Sequence, residues 1–133
     1  MIFCLRLRKN LGCDMTSIDY AIEMARKIPY VKGEQRHFAV VVDRKGKLIS
    51  QGANSYVVTH PLMHKHSKKL GLCKDFIHSE VNALIKDKSR KGVKLIVVRI
   101  DSKGNPCNSE PCCVCKAIIK DNFKNILSLE YTV

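Results

Sequence analysis

Two short segments of the chain carry side chains that could bind a metal ion. One reads "HSE" at 78–80, and the other reads "PCCVC" at 111–115. Imidazole and thiolate are donors that zinc prefers, and a catalytic zinc site uses three protein ligands and leaves the fourth position for water. His78, Cys112 and Cys115 would supply three such ligands.

Both segments fall at the predicted start of a helix. The apolar spacing predicts one helix over about 78–88 and a second over about 112–122. Within a helical turn, Cys112 and Cys115 lie on the same side, and the partial positive charge of a helix N-terminus favours thiolates. Helices that follow parallel strands of a sheet begin at the same edge. We therefore expect the two segments to converge.

Glu80 has a predicted role beside the metal rather than on it. Residues two apart point to different faces of a helix interior, but in the first turn both side chains can bend over the helix end. From there Glu80 could take a proton from a water molecule and pass it to a leaving group. We predict that Glu80 is the catalytic acid and base.

The elements that must position these residues follow the order α-β-β-α-β-α-β. The first helix is predicted over about 17–28, and a hairpin follows with strands at about 37–43 and 47–52. A buried strand is predicted over 93–101, and a last strand within 124–133. The segment between the hairpin and the second helix reads as a long irregular loop with at most one short helix. The order implies a mixed sheet with helices on its faces.

Composition and charge narrow the class of protein. The 133 residues suit one domain, which we expect over 16–133 after an N-terminal extension at 1–15. No apolar run reaches the roughly 18 residues of a membrane span, so no membrane partner is expected. Seven cysteines without a secretory signal indicate a reducing, cytoplasmic setting. The net charge of 24 minus 12, or +12, favours phosphate-bearing partners.

The motif pair resembles the signature of the cytidine deaminase superfamily, H-x-E followed by P-C-x-x-C. The resemblance covers about residues 17–131. It implies a three-layer α/β/α sandwich with a mixed sheet of four to five strands, and a zinc-dependent hydrolase with Zn2+ as its cofactor. In such an enzyme a zinc-bound hydroxide attacks the amine-bearing ring carbon, and Glu80 shuttles protons until ammonia leaves.

The resemblance also implies contacts to a nucleoside or nucleotide substrate. Asn54 in "GAN" is similar to the substrate-binding asparagine of the family, and Ser79 would offer its backbone N–H to the base. The 23 residues between Asn54 and His78 form an insert like that of the deoxycytidylate deaminases. The candidate phosphate contacts in this insert are Lys65, Lys68 and Lys69, with Lys74 at the end of the same run.

Three functions remain open on these residues. The favoured one is deamination of a cytosine base in a free nucleoside or nucleotide, with deoxycytidylate preferred. The second is editing of cytosine or adenine in tRNA or single-stranded nucleic acid, which the positive charge and the Glu110-Pro111 pair support. The third is an inactive zinc-stabilised binding module.

Further expectations concern metal binding and assembly. A structural zinc site would need a fourth ligand, for which Cys107 and Cys113 are candidates. His60, His64, His66 and Cys73 could form a second zinc site in the insert. The last predicted strand is the fourth, whereas the family usually has five. We therefore expect an edge that is either short or completed by another subunit, and the second alternative implies a homo-oligomer.

Overall fold

A computed structural model describes residues 3–6 and 17–133 of the chain. Its strands are β1 (Phe3–Arg6), β2 (Arg36–Val42), β3 (Leu48–Ala53), β4 (Lys94–Ile100), β5 (Pro106–Cys107) and β6 (Ser128–Tyr131). Its helices are α1 (Ser17–Arg26), α2 (Pro61–Lys69), α3 (Ser79–Lys86) and α4 (Cys113–Asn122).

One mixed sheet joins these strands in the order β1-β6-β4-β2-β3, and the two-residue β5 pairs beside this path with the end of β4. β2 lies between β3 and β4 and is antiparallel to both, so β3 and β4 run in the same direction. β6 is parallel to β4, and β1 is parallel to β6. The connection from β3 to β4 contains α3, and the connection from β4 to β6 contains α4. Both connections therefore start from strands that run in the same direction.

Alternation along the central strands separates two apolar cores. Phe38, Val40 and Val42 of β2 face α1, together with Ile96, Val98 and Ile100 of β4. The intervening residues of both strands, such as Val41 and Val97, face α2, α3 and α4. Because side chains of a strand alternate between faces, this pattern gives three layers, and the predicted α/β/α sandwich is confirmed.

The predicted boundaries agree closely with the observed elements. The three predicted strands at 37–43, 47–52 and 93–101 match β2, β3 and β4 to within one residue, and the three helices match α1, α3 and α4 to within two. In the hairpin, the Asp43 carboxylate accepts hydrogen bonds from the backbone N–H of Lys45 and Lys47, both at 2.9 Å. Gly46 takes the positive φ of 80° that this turn needs.

The sheet has one more strand at its edge than the four main strands that the sequence predicted. Phe3–Arg6 pairs in parallel with Ser128–Tyr131, so four residues of the predicted extension 1–15 belong to the sheet. Four residues carry too little periodicity to identify a strand, and their pairing partner lies at the other end of the chain. The other residues before 17 lie outside the described part, and the boundary at 16 stays a prediction.

The insert after β3 is more regular than predicted. It contains the nine-residue helix α2, whose N-cap residue His60 accepts a hydrogen bond at Nδ1 from the Leu62 N–H at 3.1 Å. A single bridge between Thr59 and Phe76 closes the base of the insert. Within the described residues, no helix combines the length and apolar character that crossing a bilayer requires.

Candidate active site

Two metal-ligand candidates occupy the N-cap positions of two helices. His78 precedes α3 with φ −84° and ψ 160°, and Cys112 precedes α4 with φ −69° and ψ 168°. Neither side chain makes a capping hydrogen bond, so both are directed to other partners. Since α3 follows β3 and α4 follows β4, which run in the same direction, both helix starts lie at one end of the sheet.

The third candidate, Cys115, joins the first two at this end. Its Sγ lies 3.2 Å from Nδ1 of His78, and the Sγ of Cys112 lies 3.5 Å from the same nitrogen. All three ligand atoms lie within 4.8 Å of one another. In a tetrahedral zinc site with Zn–N near 2.05 Å and Zn–S near 2.3 Å, the nitrogen and sulfur ligands are about 3.6 Å apart. The three donors therefore fit one zinc ion.

The thiols of this group have opposite proton affinities. A hydrogen bond from the Cys115 thiol, supported by the His78 ring, lowers the pKa of Cys112 to about 3 although burial opposes the shift. The same hydrogen bond raises the pKa of Cys115 well above its ordinary value, and its burial and the Glu80 carboxylate act in the same direction. Cys112 is thus a thiolate at neutral pH, which is the form that binds metal ions.

The groups around His78 act in opposite directions on the pKa of its imidazole, and the net effect is an increase. Its hydrogen bond to Cys112 is the main cause of a raised pKa, and the Glu80 carboxylate adds to the increase. Burial and the positive charge of Lys74 lower the pKa of this imidazole.

Glu80 lies buried next to the three ligands. Its side chain is 4% exposed, and its Oε1 accepts a hydrogen bond from the hydroxyl of Ser79 at 2.7 Å. Ser79 is fully buried and occupies the first position of α3, where a backbone N–H has no partner within the helix. The carboxylate is thereby held at the floor of the site.

Two contacts outside the ligand group hold the helix starts in place. A side chain at Gly52 of β3 would collide with Asn82 of α3, whose side-chain amide donates to the Ala53 carbonyl at 2.9 Å. Ahead of α4, the buried Ser109 hydroxyl donates to the Val97 carbonyl at 2.7 Å and accepts from the Thr132 N–H at 2.8 Å. The Ser109 hydrogen bonds attach the loop before the cysteines to the ends of β4 and β6.

A cavity of about 470 Å³ opens in front of the candidate metal ligands. His78, Glu80 and Cys112 form part of its wall, and Asn54 and Glu110 lie in the same wall. Cys73, a candidate for the second zinc site, also lines this cavity. The lining residues that no sequence pattern indicated are Gln35, His37, Ser55, Tyr56, Phe76, Arg99, Asn108 and Ser109. Lys74, named with the insert lysines, completes the wall.

His37 and Arg99 are the most polar of the unpredicted residues. They are direct cross-strand partners at the ends of β2 and β4, so both point to the cavity side of the sheet. Burial lowers the pKa of His37, and the Arg99 charge acts in the same direction, while Glu80 opposes it. A signal existed in the sequence, since each residue is a polar neighbour of the apolar run of its strand.

The predicted substrate contacts differ in where the structure places them. Asn54 lines the cavity, but its Oδ1 accepts from the His37 N–H at 3.0 Å and its Nδ2 donates to the Gln35 carbonyl at 3.1 Å. The predicted phosphate contacts Lys65, Lys68 and Lys69 are exposed on α2 and do not line the cavity.

No other cysteine joins the metal ligands within the described part of the chain. Cys113 is exposed, and the Cys107 thiol donates to the Arg99 carbonyl at 3.6 Å. A closed structural site therefore has no fourth cysteine there. In the insert, His64 pairs with Asp75 and His66 with Asn122, and among described residues the only group close enough to hold a metal is His78, Cys112 and Cys115.

Comparisons with known proteins agree with this geometry. Residues 13–127 match the family model of the cytidine and deoxycytidylate deaminase zinc-binding region. A crystal structure of cytidine deaminase from Burkholderia pseudomallei has a TM-score of 0.52 at 19% identity, over 84% of this chain and 79% of that chain. Cytidine deaminase from Mycobacterium tuberculosis has a TM-score of 0.44 at 17% identity, over 81% and 76%. The first similarity shows the fold. None of the curated proteins matches the sequence.

Proposed function

Because the chain belongs to the cytidine and deoxycytidylate deaminase family, we propose that it hydrolyses the amine from a cytosine base in a nucleoside or nucleotide, with deoxycytidylate preferred. Family membership supports zinc-dependent deamination in general, and the base and sugar are our proposal. The observation that carries it is the convergence of His78, Cys112 and Cys115, with His78 and Cys112 in the same cavity wall as the buried Glu80.

The cofactor of this site is Zn2+, which the two cysteines and the histidine would hold. When bound, the ion supplies the Lewis acidity that makes a water molecule nucleophilic near neutral pH. Thiolate and imidazole ligands with a position left for water are typical of catalytic zinc sites.

Glu80 moves the protons of the reaction. It takes one proton from the attacking water as the new carbon–oxygen bond forms and gives it to the ring nitrogen. It then takes the proton of the new hydroxyl and gives it to the amino group, so that the carbon–nitrogen bond breaks and ammonia leaves. The Ser79 hydroxyl, 2.7 Å from Oε1, orients the carboxylate for this task. A buried position keeps bulk water away from the transferred protons.

Two predicted contacts orient the base and the sugar. The backbone N–H of Ser79 faces no helical partner and is suited to an acceptor on the base. Asn54 lies in the cavity wall, where its amide is fixed by the start of β2 and is suited to a hydroxyl of the sugar. Both roles are proposals from the family pattern and these positions.

A second candidate function is editing of a base within nucleic acid. The net charge of +12 favours it, and so do the exposed aromatic residues Tyr56 and Phe76 in the cavity wall, on which neighbouring bases could stack. An inactive binding module is the third candidate, but a binding role alone would not require a buried carboxylate beside the metal ligands.

Assembly and location complete the proposal. The run Tyr56-Val57-Val58 is exposed, with Val57 at 85%, and a homo-oligomer would cover such a surface. Light scattering of the purified chain tests this assembly.

The unpaired thiols of Cys73, Cys107 and the cysteines at 112–115 suit a reducing compartment, for which we propose the cytoplasm.

A substrate panel on the zinc-loaded full chain tests the proposed function. We expect ammonia release from cytosine nucleosides or nucleotides, fastest with deoxycytidine 5′-monophosphate, and with zinc measured in the same sample. Turnover confined to oligonucleotides would favour the editing function. Absence of turnover on every cytosine and adenine substrate would favour the binding module.

A further inference from the structure

Two cations in the wall of the cavity have no carboxylate partner. Lys74 and Arg99 both line the cavity that contains His78. Neither takes part in any ion pair among the described residues. Within the described part of the chain, the Arg99 guanidinium donates only to the Asn108 carbonyl, at 3.3 Å. Unpaired cations on the wall of a concave site attract anions.

The carboxylates of the same cavity have partners other than these two cations. Glu80 accepts the hydroxyl of Ser79. Glu110 accepts a hydrogen bond from the Tyr131 hydroxyl at 3.1 Å and lies 3.6 Å from the ammonium of Lys116. Neither acid forms an ion pair with Lys74 or Arg99, so both cations are available to an anionic ligand.

The two cations come from different parts of the fold. Arg99 lies on β4 at the end of the sheet, opposite His37, whereas Lys74 comes from the loop between α2 and α3, four residues before His78. The volume of about 470 Å³ lies in the range of small-molecule sites, about 300–1,000 Å³. The cavity has room for a base near the zinc ligands and an anionic group against its wall.

We infer that Lys74 and Arg99 bind the phosphate monoester of a mononucleotide whose base lies at His78, Cys112 and Glu80. The inference rests on the proposed function for the position of the base. It gives the phosphate to residues other than the insert lysines suggested by the sequence, since Lys65, Lys68 and Lys69 do not line the cavity. Arginine and lysine are the usual protein ligands of phosphate.

A neighbouring cavity favours a monoester over the phosphodiester chain of a nucleic acid. This space of about 350 Å³ shares Gln35 and Arg99 with the first, so a substrate that extended past Arg99 on this side would lie against it. Carboxylates of Glu34 and Asp101 line it. Its buried Arg36 already donates to the carbonyls of Ile28 and Asp101, at 3.1 and 2.7 Å. A second phosphate would meet negative charge there.

Turnover of a matched substrate pair tests the inference. The readout is kcat/KM for deoxycytidine 5′-monophosphate divided by kcat/KM for deoxycytidine. We expect this ratio to fall by about tenfold or more in Lys74→Ala and in Arg99→Gln, because each loses a charged hydrogen bond to phosphate. Arg99→Lys should restore part of the ratio. Lys74 is an exposed loop residue, so its variant is expected to fold.

Control variants separate this site from general charge effects. Lys120→Ala removes one exposed lysine of α4 outside the cavity and should leave the ratio unchanged. The Lys69→Ala variant should also leave it unchanged. An equal fall in Lys69→Ala and Lys120→Ala, or an unchanged ratio in both Lys74→Ala and Arg99→Gln, would overturn the assignment. A single-stranded oligonucleotide with one deoxycytidine that is turned over faster than the monophosphate would overturn the choice of a monoester.

A binding measurement keeps the inference separate from the proposed function. Zinc-loaded Glu80→Gln protein is titrated by calorimetry with deoxycytidine 5′-monophosphate and with deoxycytidine. Tighter binding of the monophosphate, weakened about tenfold by Lys74→Ala, supports the phosphate site even if the chain lacks deaminase activity. Equal affinity for both ligands contradicts the phosphate site even if deamination is observed.

Discussion

The cysteines at 112, 113 and 115 differ in where the first turn of α4 places them. Cys112 is the N-cap residue and Cys115 the third residue of the helix, so both sulfurs face His78, and Cys115 is fully buried. Cys113 points outward and is exposed. The thiols of one short segment therefore have different surroundings, because a helix rotates about 100° per residue.

Serine substitutions distinguish these roles. We expect Cys112→Ser and Cys115→Ser to lower zinc content of the purified chain severely, because a hydroxyl replaces one of three protein ligands. Cys113→Ser is the matched control in the same turn and should retain about one zinc per chain. Metal analysis by plasma mass spectrometry measures all three. Equal zinc loss in Cys113→Ser would show that the ligands are assigned wrongly.

A carboxylate beside the metal ligands has its own test. Glu80→Gln keeps the size of the side chain but cannot take up a proton, so we expect kcat to fall by about 100- to 10,000-fold. Zinc content and the unfolding midpoint should stay near those of the unmodified chain, since Glu80 is not a ligand. Activity close to normal in this variant would contradict the role of Glu80.

At the scale of elements, the position of α3 depends on how closely it approaches β3. A Cβ at Gly52 would lie 2.7 Å from Cγ of Asn82, and the Ser50 hydroxyl donates to the Ala83 carbonyl at 2.7 Å. Only a residue without a side chain allows this distance between strand and helix. The approach sets the position of His78 at the N-terminus of the same helix.

Substitution at Gly52 tests this contact. We expect Gly52→Ala to lower the free energy of unfolding by about 1–3 kcal/mol through overpacking against α3, measured by urea denaturation. The double variant with Asn82→Ala removes Cγ and the amide and should recover part of the loss, as a double-mutant cycle would show. Additive losses in the double variant would mean that the two residues do not meet.

At the scale of the whole molecule, the metal ligands join two separate chain connections. His78 ends the connection from β3, and Cys112 and Cys115 lie in the connection from β4 to β6. Both helices pack on the same core of the sheet. An ion bound to all three ligands therefore stabilises the relative positions of distant segments, and its binding free energy adds to the stability of the fold.

Removal of zinc should weaken the whole domain. At a free zinc concentration of 100 times Kd, binding contributes about 2.7 kcal/mol, so treatment with a chelator should lower Tm by several degrees. Differential scanning calorimetry before and after chelation measures the change. Re-addition of zinc should restore Tm. In Cys112→Ser the chelator should have little effect, and an equal shift there would contradict the proposed ligands.

The predictable part of this protein depends on local chemistry. Helix starts at 78 and 112, the turn at Gly46 and the spacing of Cys112 and Cys115 each depend on a few neighbouring residues, and the order of elements follows from their apolar patterns. The convergence of the two motifs follows from the direction of crossover strands. For these reasons the layers could be predicted from the sequence, and so could the approach of His78, Cys112 and Cys115 to one another; their role as zinc ligands and the role of Glu80 stay predictions.

Only the tertiary structure decided which residues surround the substrate space and close the sheet. β1 pairs with β6 from the opposite end of the chain, and Arg99 and His37 meet through strand register. The orientation of α2 directs its lysines away from the cavity, while Lys74 in the following loop lines it. These are contacts between residues far apart in sequence, set by how helices and strands pack, and no local pattern of residues encodes them.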